Sequence, residues 1–223
     1  MIVINKMLFV AQWTVDSEQR VALWNAFGNM TESDHQQAEG PNFKKLGRWW
    51  TIHGDSGFCV FESDCMESVT NLSLIWSPFA KTCSLHPVAD DSEFTKSIQE
   101  TPFFEKMENK EIKENPLSDS TEKKLRYMVK WNVNCENKIN LWNQFANMTV
   151  EDHNKTEGSI NIVGRWHFLS GSGGIGLIEC NSTKSILDCL LLWSSKVDFE
   201  VHPVNDDEMF VKCIKNTPFF ESK

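Results

Sequence analysis

The residues best suited to chemistry recur in pairs. Arg48 and Arg165 each sit in a Gly-Arg-Trp string, followed two residues later by Trp50 in one case and His167 in the other. His86 and His202 each open a His-Pro-Val string. A guanidinium can bind a carboxylate or carbonyl oxygen through a planar fork of donors, and a histidine is the side chain that most readily carries a proton near neutral pH. Lys130 and Glu200 add one more cation and one more carboxylate, where the matching positions hold Gln12 and Ser84. The set points to a pocket in which Arg48 and Arg165 hold an oxygen, while His86, His167 and His202 are the candidate proton carriers. The ionisable groups are richer in the second half of the chain, so ligand binding is expected to depend mainly on Arg165, His167 and His202, with Lys130 and Glu200 nearby and Arg48 and Trp50 forming the opposite wall. The competing reading pairs these groups with Glu62, Glu179 or Glu200 in a buried network that serves structure alone, because buried ionisable groups must find partners whether or not they catalyse anything.

The pairing has one cause, an internal duplication. Displacing the chain by 118 residues sets Trp13 on Trp131, Leu23-Trp24-Asn25 on Leu141-Trp142-Asn143, and Asp34-His35 on Asp152-His153. After one-residue deletions, Gly47-Arg48-Trp49 matches Gly164-Arg165-Trp166, Asp90-Asp91 matches Asp206-Asp207, and Thr101-Pro102-Phe103-Phe104-Glu105 matches Thr217-Pro218-Phe219-Phe220-Glu221. The expected organisation is a first unit over 1–105, a charged linker over 106–124 and a second unit over 125–223.

Within each copy the hydrophobic periodicity predicts a strand at Met7 to Thr14 or Leu125 to Val133, then a helix at Glu18 to Met30 or Glu136 to Met148. A hairpin of two strands follows, then a helix, a strand ending in His-Pro-Val, and a short helix stopped by Thr-Pro. The order β-α-β-β-α-β is that of a ferredoxin-like unit, an antiparallel sheet with its helices on one face. The fold class is therefore α+β: tandem ferredoxin-like units that cover each other's bare sheet faces as an intrachain dimeric α/β barrel. Strict alternation along the strands places Phe9, Ala11 and Trp13 under the helices and sends the Arg and His set to the opposite face, into the space between the sheets.

Several other signals are weighed and set aside. Gly171-Ser172-Gly173-Gly174-Ile175-Gly176 satisfies the dinucleotide pattern but precedes a strand, so it reads as a hairpin turn. The Asp pairs at 90–91 and 206–207 stand before helices and read as N-caps. His35 and His153 read as capping or surface groups. No two histidines stand at ligand spacing within one element, so no metal and no cofactor is expected. A formal net charge of -9 disfavours nucleic acid. The longest apolar runs fall short of the roughly 20 residues of a membrane span. Seven cysteines without a C-x-x-C pair suggest reduced thiols and a cytoplasmic protein, a monomer acting as its own pseudo-dimer.

Trp13-Thr14-Val15, Gly164 to His167, Asp198-Phe199-Glu200-Val201 and Pro203 to Asp207 together resemble the domain of unknown function 3303 family, of the dimeric α/β-barrel superfamily. The resemblance covers both copies and is closer in the second, since the first holds Trp50 in place of His and Cys83-Ser84-Leu85 in place of Phe-Glu-Val. It implies two sheets enclosing a pocket. Relatives in the superfamily include cofactor-free monooxygenases, isomerases and haem enzymes, so the reaction stays open. The functions compatible with these observations are a small-molecule pocket for a compact hydrophobic carbonyl or carboxylate compound, with or without catalysis, or a non-catalytic interaction module with a filled interior.

Overall fold

A computed structural model describes residues 6–40, 42–107 and 125–222; most of the expected linker and the first five residues lie outside them. The elements run β1 (Met7–Thr14), α1 (Ser17–Gly28), α2 (Glu32–Glu39), β2 (Phe43–Thr51), β3 (Ser56–Ser63), α3 (Met66–Trp76), β4 (Thr82–Asp90) and α4 (Asp91–Gln99). The second copy repeats them as β5 (Leu125–Val133), α5 (Lys138–Ala146), α6 (Val150–Glu157), β6 (Asn161–Phe168), β7 (Gly173–Cys180), α7 (Thr183–Trp193), β8 (Val197–Asp206) and α8 (Asp207–Lys215). A short 3-10 turn at Cys135–Asn137 precedes α5.

The β-α-β-β-α-β order is present twice, and each copy gains a helix that periodicity did not predict, α2 or α6. Both are polar and lack an apolar stripe, so the hydrophobic pattern carries no trace of them. Their N-termini are nonetheless written locally: Thr31 and Asp34, like Thr149 and Asp152, form a capping box in which side chain and backbone satisfy each other reciprocally.

The chain divides into two compact units that do not coincide with the two repeats. One contains residues up to Pro87 together with Val204–Lys223; the other contains Val88–Pro203. Within the first unit the strand order is β4-β1-β3-β2, with the last residues of β8 added beside β2 through Trp49 opposite Asp206 and Thr51 opposite Val204. Within the second it is β8-β5-β7-β6, with the last residues of β4 added beside β6 through Val88 opposite Phe168 and Asp90 opposite Trp166. Each copy thus has the ferredoxin-like order, and each sheet carries the end of the other copy's fourth strand.

Helices cover one face of each sheet. In the first unit Phe9, Ala11, Cys59 and Phe61 pack against Val69 and Leu72 of α3. In the second, Tyr127, Val129, Ile178 and Cys180 pack with Ile160 and with Ile186 of α7. The glycine string after β6 is a hairpin turn, as its sequence suggested. Gly171 takes φ 63° and its carbonyl accepts from the Trp142 indole N–H at 3.3 Å; a Cβ there would meet that ring at 2.2 Å. Gly54 and Trp24 repeat the arrangement in the first copy. None of the seven cysteines is bonded to another.

The repeated Thr-Pro-Phe-Phe-Glu segments are held by asparagines of the opposite copy. Asn143 Nδ2 donates to the carbonyl of Phe103 at 3.0 Å and its Oδ1 accepts from the Glu105 N–H at 3.0 Å; Asn25 makes the same two bonds to Phe219 and Glu221. Asn143 is buried, so truncating it removes both of its half-buried hydrogen bonds to the tail backbone and leaves its own site unfilled. Asn143→Ala is expected to cost about 1–3 kcal/mol in urea-unfolding free energy; a change within error of zero would show that the tail is not docked through this side chain.

Candidate functional site

Each unit contains a four-residue clasp on the helix-covered face of its sheet. In the first, Arg48 grips Asp207: Nε lies 2.9 and 3.0 Å from the two carboxylate oxygens and Nη2 lies 2.8 Å from Oδ2. The Trp50 indole N–H donates to Asp207 Oδ1 at 3.0 Å. In the second, Arg165 grips Asp91 through Nε at 2.9 and 3.0 Å and Nη2 at 2.7 Å, and His167 Nε2 lies 2.9 Å from Asp91 Oδ1. The fourth member is a phenylalanine one helical turn beyond the acid. Phe210 stacks on Trp50 at 4.3 Å and 10°, and Phe94 stacks on His167 at 4.1 Å and 9°.

These positions correct the expected facing of the strands. Arg48 stands opposite Cys59, and Cys59 stands opposite Ala11, so all three share the helix-covered face. The cause is a β-bulge at Leu46, and at Val163 in the second copy. The extra residue resets the alternation, so that Lys45 and Arg48, three apart, lie on one face. Trp50, Arg165 and His167 move with it. The expected constellation is therefore divided between two faces. Leu85 and Phe199 line the helix-side cavities, so their strand neighbours Ser84, His86, Glu200 and His202 face the other way. Lys130 stands opposite Glu200, 3.7 Å away in a largely exposed pair that contributes little. Lys130, Glu200, His202 and His86 thus belong to a different surface from Arg165 and His167.

The arginines' partners also differ from the carboxylates considered in the sequence. Glu62 and Glu179 bind Lys44 and Arg126 instead. The partners are Asp91 and Asp207, the second members of the two Asp pairs, while Asp90 and Asp206 do act as N-caps, accepting from the Glu93 and Met209 N–H groups at 2.9 Å. A further carboxylate, from the helix before β6 or β2, completes each site: Glu157 lies 3.3 Å from Arg165, and Glu39 lies 3.8 Å from Arg48. His35 and His153 are neither caps nor surface groups. They meet Phe27 and Phe145 edge-on, and His153 Nδ1 lies 3.5 Å from Arg165 Nη2. Asp91, Asp207, Glu39 and Glu157 were legible only as matched positions of the repeat.

Burial pushes the Asp91 carboxyl up, but the hydrogen bonds from His167 and Arg165 and the charge of Arg165 outweigh it and hold Asp91 far below its usual 3.8. Asp91 is therefore a carboxylate, which can only accept, and His167 Nε2 must carry the proton that joins them. For His167 itself, burial pushes the value below the usual 6.5, opposed by the bond and charge of Asp91 and reinforced by Arg165. The imidazole is neutral at pH 7. Nδ1 is left with a lone pair and no partner among the described residues.

The two units differ in the space beside the clasp. A cavity of about 130 Å³ in the second is lined by His167, Arg165, Trp131, Trp142, Phe145 and Trp193, among others. Its counterpart in the first, lined by Trp50, Arg48, Trp13, Phe27 and Trp76, is about 60 Å³. The Trp50 indole is larger than the His167 imidazole, and Cys59 stands where the second unit has Gly176, so side chains take up more of the first cavity. Two thiols in these walls, Cys59 and Cys189, are poor nucleophiles: burial pushes Cys59 up to about 12 and Cys189 to about 11. Among the described residues no group of three or more His, Cys, Asp or Glu side chains could hold a metal ion, and no helix is long and apolar enough to cross a membrane.

Because the folded chain resists protonating His167, the unfolded chain takes up that proton first as pH falls below about 6.5. Its contribution to stability is thus lost on acidification through that point. His167→Trp, which installs the first copy's own side chain, should flatten the fall of the urea midpoint between pH 7 and pH 5. Parallel wild-type and variant profiles would refute the assignment.

Similarity to solved structures covers both copies. A candidate monooxygenase from Fusobacterium nucleatum subsp. nucleatum is 9% identical with a TM-score of 0.51, covering 92% of this chain and 94% of that one. A mutant chlorite dismutase from Candidatus Nitrospira defluvii is 8% identical with a TM-score of 0.50, covering 94% and 96%. At such identities the likeness establishes the fold, that of the ferredoxin-like dimeric α/β barrel, and leaves function to the site. No curated protein matches the chain. The family model described as domain of unknown function (DUF3303) matches residues 7–102 and again 125–217. With most of its length matched in two tandem copies, the chain belongs to the DUF3303 family.

Proposed function

We propose that the second unit is a binding site for a compact, largely hydrophobic small molecule, with His167 as its polar anchor and proton acceptor. The observation that carries this reading is a buried histidine in a cavity wall, with one ring nitrogen fixed by a carboxylate and the other without a protein partner. That nitrogen is accessible, so a ligand that donates to it replaces a bond to water and gains the net value of one hydrogen bond, about 0.5–1.5 kcal/mol. The cavity is of single-ring scale: an apolar cavity of about 150 Å³ is known to hold benzene. Its walls offer aromatic faces on several sides, the composition of a pocket for a flat apolar body.

Arg165 takes a different part from the one its sequence suggested. Two carboxylates, Asp91 and Glu157, already neutralise it, so an anionic ligand would have to displace them. It holds Asp91, and Asp91 holds His167. Removing Arg165 would leave two acids without their counter-charge, at a cost below the ~3–5 kcal/mol of a fully buried pair because the Asp91 side chain is 40% exposed and partly screened by water. The first unit, where Trp50 offers no lone pair and the cavity is about 60 Å³, lies nearer the alternative of a structural module. The seven unpaired thiols support a reducing compartment such as the cytoplasm.

Toluene, which needs only an apolar cavity, is the probe for this reading. It should bind the intact protein, and His167→Trp should weaken it at least tenfold by filling the space, without unfolding the chain. Trp50→His should leave the second site's affinity unchanged. Absence of toluene binding to the wild type, or equal binding to His167→Trp, would overturn the reading.

A further inference from the structure

The first copy shows what the clasp needs in order to hold together. At position 50 it uses a flat ring, stacked on Phe210, that donates one N–H to Asp207. At position 167 the second copy meets the same requirements: a flat ring, stacked on Phe94, with one nitrogen on Asp91. Any ring with an N–H at that point satisfies the structure. An indole has no further heteroatom, whereas an imidazole has one more nitrogen, which the clasp itself does not use. The exchange of Trp for His, together with Gly176 in place of Cys59, accompanies a cavity of about 130 against about 60 Å³, and it gives that cavity's wall a ring with a second nitrogen.

The direction of that second nitrogen's hydrogen bond is set by Asp91. A carboxylate gripped by a guanidinium through both oxygens, in the first turn of α4 where the helix dipole favours negative charge, cannot donate a proton to Nε2. Nε2 must donate, and a neutral imidazole has only one N–H. Nδ1 is consequently restricted to accepting. We infer that the second-unit cavity selects ligands that present a hydroxyl or N–H to His167 Nδ1, over isosteres that present only an acceptor or no polar group.

This rests on the binding reading above and sharpens it: the expected ligand is a neutral proton donor on a ring-sized apolar body, and not the carbonyl or carboxylate compound that the arginines alone suggested. Asp91 acts as a positioning residue. It touches no ligand, yet it determines which ligand chemistry His167 accepts, and it reaches the site from the other repeat, across 76 positions of sequence.

Phenol and fluorobenzene test the inference, being nearly the same size and differing in the donor. Calorimetric titration of the wild type at pH 7 should show phenol binding about tenfold more tightly, the effect of one buried hydrogen bond that would otherwise go unmade. Asp91→Asn should bring the two affinities to within about twofold, because an asparagine amide can donate to Nε2 and release the other tautomer. It also leaves Arg165 balanced by Glu157, so the fold should tolerate it. Nitrogen-15 NMR of the His167 ring in the wild type should report the proton on Nε2 and not on Nδ1, whatever the fate of the variant. Equal binding of phenol and fluorobenzene, with both lost in His167→Trp, would overturn the donor inference while leaving the cavity reading intact. If neither compound nor toluene binds the wild type, both fall.

Discussion

Each half of this protein depends on a salt bridge whose acid is supplied by the opposite repeat. Arg165 of the second copy is neutralised by Asp91 of the first, and Arg48 of the first by Asp207 of the second. A guanidinium buried beneath helices is tolerable only with a carboxylate at hydrogen-bonding distance. The fourth strand of each copy therefore has to end where the other copy's arginine begins, and the short helix that follows has to start with an aspartate. The ladder between β2 and the end of β8, and that between β6 and the end of β4, set the acid in place. Two asparagines, Asn25 and Asn143, then hold the tail that follows each helix.

That reciprocity explains why the repeats have been held to the same pattern at the clasp while differing beside it. The arginine, the aspartate, the stacking phenylalanine and the ring N–H occur in both units. Around them the charge balance differs. In the first unit Lys45 lies 3.1 Å from Glu39 and 3.8 Å from Asp207, giving two cations for two acids. In the second, Ile162 stands at the matching position, and Arg165 alone faces Asp91 and Glu157. A site with one more acid than fixed cation favours neutral or proton-donating company over a further anion, consistent with a pocket that accepts a hydrogen bond from its ligand. In the first unit Trp50 leaves a smaller cavity, about 60 Å³, and the Trp13 indole N–H in its wall is buried without a hydrogen-bond partner.

The sequence by itself determined the duplication, the ferredoxin-like order of elements and most of their limits. These are local properties: apolar spacing, turn glycines and Thr-Pro stops act over a few residues and are repeated twice, so each copy checks the other. It also singled out Arg48, Trp50, Arg165 and His167 as the positions to watch, and the greater ionisable content of the second copy. The helices α2 and α6 escaped because their stability comes from capping boxes and tertiary contact, and not from an apolar stripe.

Only the tertiary structure decided which residues share a site. One bulged residue, Leu46 or Val163, moves the arginines and His167 from one sheet face to the other, and no pattern of period two can register an insertion whose partner strand is distant in sequence. The same shift separates them from Lys130, Glu200, His86 and His202. The carboxylates came from places that local reading assigns to capping. Asp90 and Asp206 are caps, but the residues beside them serve the arginine of the other repeat, a role that exists only once strands far apart in the chain have paired. The residue types were present in the sequence; the choice between a donor and an acceptor at His167 came from the contact with Asp91.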